Sequence, residues 1–317
     1  MTRRGRELLV QAALAAVLLL AAAFLLWNVS QNLASSKIAS GIAFLWREAG
    51  FEIGETTFIA YSAADTYLRA LAVGLANTFR VAAVGVVLTT VLGTMLGLAR
   101  LSPNFLLEKL AAGYVEVMRN IPLLVQLFFW YAIISEVLPG PHEALNPLPG
   151  VYLSNRGIFF PLPGDWPALS GFNFTGGGTL TPEFAALLVG LVTYTAAFIA
   201  EIVRAGILSV PRGQVDAALS MGLVRRDQLR HVVLPQALRL IVPPMTSQYL
   251  NLTKNSSLAV AIGYPDLVSI ANTTMNQTGQ AIEGVAIIMA VYLSISLSIS
   301  AFMNWYNRRV ALRGSGE

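Results

Sequence analysis

Apolar residues in this chain gather into long runs separated by short polar stretches. Leu8–Val29, Val81–Ala99 and Gly284–Asn307 contain no charged residue. Each approaches or exceeds the roughly 20 residues with which a helix crosses a bilayer. Shorter uncharged runs lie at Asn120–Ser135 and Phe184–Ala200. A sixth, from about Leu240 to Pro265, includes Lys254. The alternating ten-residue segments of a transmembrane barrel are missing. The runs predict an all-α polytopic membrane protein with six spans.

Between the first two runs lies a polar outer segment, Ser30–Tyr67, expected to be partly helical beside the membrane. Asn77, Thr78 and Arg80 open the second span. Gly85, Gly93 and Gly97 inside it include a G-x-x-x-G pair, read as ordinary close helix packing. The stretch 139–182 is thick with Pro and Gly and predicts an external loop without regular structure over most of its length. Its "TGGG" is no phosphate cradle, because no Gly-Lys-Ser/Thr follows here or anywhere in the chain. Any ATP used would be bound by another subunit. No inverted repeat is visible.

Charge then orients the spans. Only 12% of the residues are charged, far below the quarter usual in soluble domains. A net charge of +4 suggests nucleic acid until the positions are read. Most of the 21 Lys and Arg residues precede the first span, lie between the second and third or the fourth and fifth, or follow the sixth, as Arg313 does. Lys37, Arg47, Arg69 and Arg156 fall on the other side. Both termini are therefore predicted in the cytoplasm, with charge acting as a topology signal and no nucleic-acid partner. The first run is too long for a signal peptide and reads as a retained anchor. There is no cysteine, and the two histidines, His142 and His231, fall on opposite sides, so no metal site is expected.

The central cytoplasmic stretch, "VDAALSMGLVRRDQLRHVVLPQALR" (Val215–Arg239), stands out. Ser209 and Pro211 are helix-start residues. A first short helix runs to Gly222, where the chain can turn sharply. A second, "RRDQLRHVVL", is expected to end at Pro235. Two helices meeting at a glycine make a rigid knob. Ala217 and Ala218 would keep one surface small, with Arg225, Arg226 and Asp227 at the rim.

The spacing D-A-A, three residues, Gly222, nine residues, V-x-L-P (Asp216 to Leu234 and Pro235) resembles the E-A-A-x₃-G-x₉-I-x-L-P motif of ABC importer permeases. "YVEVMRNIPLLVQLFFWY" (Tyr114–Tyr131), "AFIAEIVRAGILSV" (Ala197–Val210) and "NLTKNSSLAVAIGYPDL" (Asn251–Leu267) resemble its polar amino acid branch. "GLANTFRVA" and "MNWYNRRVALR" resemble the general L-amino acid permease subgroup. The resemblance implies a five-helix permease core with an extra N-terminal transmembrane helix, in a bacterial inner membrane. It divides the chain into an anchor and outer segment (1–69), a permease domain (70–313) holding the coupling loop (204–238), and a tail (314–317). It implies an ATP-binding subunit dimer carrying ATP and Mg, a second homologous permease subunit and a periplasmic amino acid binding protein. This chain would perform no covalent chemistry.

Charged groups inside a bilayer usually face protein or water. Helical spacing puts Asn251 and Lys254 on one face with Gln248 and Ser257 beside it. That row either lines a translocation path or serves a structural pairing of Lys254 with Glu201 on the neighbouring span. Glu201 and Arg204 sit at the inner end of span four. Arg119, Asn120 and Gln126 sit at the inner start of span three, near the path or gate, where Arg119 could equally anchor at lipid headgroups. An ion-coupled secondary transporter would call for carboxylates in mid-membrane, and none is clearly placed there. A membrane enzyme would call for a catalytic cluster, and none is present.

Overall fold

A computed structural model describes residues 3–36 and 41–310. Lys37, Arg313 and the 314–317 tail of the sequence reading lie outside the described residues. The chain is mostly helical: α1 (Arg3–Ser36), α2 (Tyr67–Ala99), α3 (Phe105–Asn120), α4 (Leu123–Ala132), α5 (Pro182–Leu208), α6 (Arg212–Ser220), α7 (Arg225–Gln228), α8 (Leu234–Asn255), α9 (Leu267–Thr278) and α10 (Ala281–Val310). Among the described residues, α2, α5 and α10 are long and apolar enough to cross a membrane. The bent pair α3 and α4 makes a fourth if taken as one span.

Helix α5 is the centre. Phe184, Leu187, Leu191 and Ile199 are fully buried along it, because its neighbours approach over glycines. A Cβ on Gly93 of α2 would lie 2.7 Å from Ile199 Cβ, and one on Gly97 would lie 2.8 Å from the Ala200 carbonyl. Gly190 of α5 receives Leu127 of α4, and Gly206 receives Ile241 of α8. The G-x-x-x-G pair is thus packing, as read from the sequence.

Helix ends follow side-chain chemistry. Thr66, Asn104, Thr181 and Asp266 accept backbone N–H bonds at the starts of α2, α3, α5 and α9, at 2.8–3.3 Å. Ile121 precedes Pro122 and is extended, which breaks the third apolar run. Helices α3 and α4 meet there at 104°. Buried Gln126 clamps the bend, its Nε2 donating to the Met118 and Ile121 carbonyls at 2.9 and 3.0 Å. The third span therefore does not start at Asn120: Arg119 and Asn120 end α3, on the other arm of the bend.

The external loop is not irregular. Leu145–Leu148 (β1), Val151–Ser154 (β2), Gly157–Phe160 (β3) and Gly178–Leu180 (β6) form an antiparallel sheet in the order β1-β2-β3-β6. Ala168–Ser170 (β4) pairs with Asn173–Thr175 (β5). The glycines and prolines punctuate tight turns here, and Phe174 stacks on Tyr152 at 4.5 Å and packs at a tilt against Phe159 at 4.8 Å. The fold is thus not purely all-α.

The outer segment is equally tied down. Glu55 receives Arg80 Nη1 of α2 at 2.8 Å and the Thr181 hydroxyl before α5 at 2.6 Å. Asn77 Nδ2 donates to the Glu55 and Pro265 carbonyls, both at 2.9 Å. Arg80 also lies 4.1 Å above the Phe184 ring. One carboxylate thus joins the outer segment to α2 and α5, with the turn before α9 tied to the same point through Asn77.

Glycine packing gives a stability prediction. Gly93→Ala drives a methyl of α2 into Ile199 and the Ala196 carbonyl of α5, forces the two helices apart and costs about 1–3 kcal/mol. Gly113→Ala in the interior of α3, where a Cβ meets nothing within 4 Å, instead stabilises by about 0.5–1 kcal/mol. Thermal melting of the detergent-solubilised protein, followed by size-exclusion chromatography, compares the two.

Candidate functional site

Two places combine exposed polar groups with rigid support: the α6–α7 knob, and the inner ends of α2, α3 and α5 with the polar face of α8. At the knob, Pro211 precedes α6 and Ser209 ends α5. Gly222 sits at φ +80°, a left-handed conformation open to glycine at no steric cost. The Leu223 N–H reaches back to the Ala218 carbonyl at 3.1 Å, and Gln228 Nε2 donates to the Leu223 carbonyl at 2.7 Å. These bonds fix the angle between α6 and α7.

The knob differs from the expected one in two respects. Ala218 is buried and supports the turn, while Asp216, Ala217, Arg225 and Arg226 are exposed and Asp227 is half-buried. The outer surface is less small than the alanines suggested, since Leu219, Met221 and Val224 project from it, Met221 at 84% exposure. The second helix also does not end at Pro235. A wider turn of π type, Leu229–Val233, lets the chain run on from α7 into α8 past Leu234 and Pro235. Such a turn accommodates a residue that has no N–H and whose ring crowds the preceding turn.

The knob is bolted to the membrane helices. Val203 of α5, Val210, and Val233, Ala237, Ile241 and Met245 on the α8 side form one buried cluster. Gln236 Nε2 donates to Gln214 Oε1 of α6 at 2.6 Å. A force on α6 is therefore delivered to α5 and α8 together.

Of the row read from helical spacing, Gln248, Asn251 and Lys254 lie on α8, whereas Ser257 falls past its end in a 3-10 turn, Ser256–Ile262. Asn251 and Lys254 are exposed, and Gln248 and Ser257 half-buried; the Ser257 hydroxyl donates to the Lys254 carbonyl at 2.7 Å. The alternative pairing of Lys254 with Glu201 is not formed. Glu201 is held by Arg100 from the end of α2 and by Arg204 one turn along α5, whose Nε donates to Oε2 at 3.2 Å. Both carboxylate oxygens of Glu201 are occupied. Among the described residues no carboxylate pairs with Lys254. The contact of Arg100, at the end of α2, with Glu201 of α5 is a tertiary fact without a local signal in the sequence.

Arg100 and Glu201 also wall a cavity of about 500 Å³ with Glu116, Arg119, Asn120 and Phe198. The Arg119 guanidinium lies 5.1 Å from the Phe198 ring centre. Gln126 is not in this cavity: it borders a smaller apolar one of about 180 Å³ at the α3–α4 bend. Among the described residues no cluster of three His, Asp or Glu could hold a metal.

The family model for the inner membrane component of binding-protein-dependent transport systems matches residues 89–312, the stretch holding the knob, the cavity and the α8 face. The chain belongs to this family. The general L-amino acid transport system permease protein AapQ of Rhizobium johnstonii is 44% identical over 90% of this chain and 87% of its own length. The glutamate/glutamine/aspartate/asparagine transport system permease protein BztB of Rhodobacter capsulatus is 35% identical over 98% of this chain and 95% of its own. The crystal structure of an amino acid ABC transporter with histidines contains a chain 27% identical, with a TM-score of 0.59, covering 77% of this chain and 95% of that one. The protein is thus a multi-pass inner-membrane component of an ABC transporter, and its relatives are permeases.

The two assignments for Glu201 and Lys254 separate in a stability measurement. Glu201→Gln leaves Arg100 and Arg204 facing a neutral amide and lowers stability by about 1–3 kcal/mol, less than a fully buried pair because the site is partly wet. Lys254→Met leaves the thermal midpoint unchanged, since no ion pair is lost.

Proposed function

We propose that this chain is the permease subunit of an importer that moves polar and general L-amino acids into the cytoplasm, driven by ATP hydrolysed on a separate subunit. The observation that carries this is the α6–α7 knob: an exposed, hydrogen-bonded turn at Gly222, joined through one apolar cluster to two membrane helices. The relatives' names supply the substrate class.

In this reading the knob docks into an ATP-binding subunit. Leu219, Met221 and Val224 enter its cleft, and Arg225, Arg226 and Asp227 bind at the rim. ATP and Mg belong to that subunit, of which the transporter carries two copies. Their closure pushes α6 and rocks α5 and α8 against α2, opening the path outward. A second homologous permease forms the other half of the channel, and a periplasmic amino acid binding protein delivers cargo to the outer side. The charge pattern supports cytoplasmic termini and knob. Six spans, with α1 as an extra anchor of the 1–69 segment and the permease domain at 70–313, fit this orientation.

Gln248, Asn251, Lys254 and Ser257 line the path: amides, hydroxyl and ammonium suit the carboxylate and polar side chain of an amino acid. Glu201 and Arg119 stand at its inner end, and Gln126 holds the bend of the gate helix.

Two measurements test this. Affinity purification of the intact transporter in mild detergent brings down an ATP-binding subunit with the wild-type chain. Gly222→Val, which puts a β-branched residue at φ +80° and costs about 1–2 kcal/mol locally, depletes that subunit while the chain stays folded. Co-purification untouched by the substitution refutes the docking role. In cells, Lys254→Met changes uptake rate or amino acid preference without reducing assembly; unchanged uptake removes Lys254 from the path.

A further inference from the structure

The cavity at the inner ends of α2, α3 and α5 holds two opposite charges that do not meet. Glu116 and Arg119 lie one turn apart on α3, a spacing at which such pairs commonly join. Here no ion pair forms between them, and among the described residues neither has another charged partner. Arg119 is held instead over the Phe198 ring. Glu201, the other carboxylate on the wall, is fully engaged by Arg100 and Arg204. A free guanidinium and a free carboxylate thus line one open cleft of about 500 Å³ together with Asn120. An Arg fork matches a carboxylate in two parallel hydrogen bonds, and a carboxylate matches an ammonium. The ligand that satisfies both at once carries an anion and an ammonium a few bonds apart.

We infer that this cavity binds a zwitterionic α-amino acid on the cytoplasmic side, its carboxylate on Arg119 and its ammonium on Glu116. This rests on the reading of the chain as an amino acid permease and adds to it a site for the transported molecule at the exit. The cavity exceeds one amino acid in volume, so polar side chains of different length fit with water. Phe198 fixes the guanidinium and contributes an apolar wall, which suits a carrier of several amino acids. The same pair of charges could be met by a phosphatidylethanolamine headgroup, and the test separates the two sources.

The intact transporter is placed in nanodiscs of phosphatidylcholine and phosphatidylglycerol, without binding protein or ATP. The probe is whichever tritiated L-amino acid among glutamine, glutamate and histidine the same complex imports fastest with its binding protein. Saturable binding is expected, weakened about tenfold or more by Arg119→Gln and by Glu116→Gln, partly restored in Arg119→Lys, and unaffected by Glu108→Gln, which lies on α3 outside the cavity. The inference is overturned by binding that both variants retain, or by no saturable binding in a complex that still imports the amino acid. It is also overturned if phosphatidylethanolamine nanodiscs abolish binding by competition that only the wild-type cavity shows while uptake is unaltered, which assigns the site to lipid. Loss of import itself in the wild-type complex marks failure of the permease reading instead.

Discussion

The contact on which the rest of this structure depends is the junction of α5, the knob and α8. A bilayer gives no hydrophobic drive for helix to meet helix, so close approach has to come from shape. Gly206 lets Ile241 seat against α5, and Val203, Val210, Val233 and Ala237 close the gap between them. Packed interiors transmit displacement because they have few voids to absorb it. A knob joined this way moves its helices, whereas one hung on a loose linker would swing alone. The π-type turn before Pro235 keeps the load path continuous from α7 into the membrane, where a proline break would have made a hinge.

The opposite end of the molecule obeys the same logic with polar chemistry. Glu55, Asn77, Arg80 and Thr181 tie the outer segment, α2 and the start of α5 together, and every strong group among them has a partner. Buried ions without partners would cost several kcal/mol, so this clasp is an all-or-none arrangement. Between the outer clasp and the inner junction, α2 and α5 run over glycines, and α8 presents its uncompensated polar face. Rigid ends and a small-residue middle suit a body that rocks.

Much of this was legible in the sequence where the signal is local. Apolar runs located α2, α5 and α10, the described helices long and apolar enough to cross a membrane, Gly93 and Gly97 showed their packing, and the central stretch showed the knob and its glycine. Helical periodicity placed Gln248, Asn251 and Lys254 on α8 but carried the same helix too far, since Ser257 lies beyond its end. What failed depended on geometry that residue type and hydropathy do not carry. Glu201 chose Arg100, about a hundred positions away, over Lys254. The external loop paired into strands because its Gly and Pro residues serve as turns for short apolar segments, a pattern that composition alone reads as irregular. Pro122 bent the third span where the apolar run showed no break in hydropathy. Ala218 turned inward because the knob needs a small residue under its own turn.

The central claim, that the knob and the inner halves of α5 and α8 move as one lever, is open to direct measurement because the chain has no native cysteine. Spin labels at Leu208→Cys and Ser220→Cys, both exposed positions at the end of α5 and on α6, report their separation by pulsed electron resonance in a transporter that still imports. The account predicts the same distance distribution with and without ATP. A distribution that shifts on ATP binding would show the knob swinging independently of α5 and would contradict it.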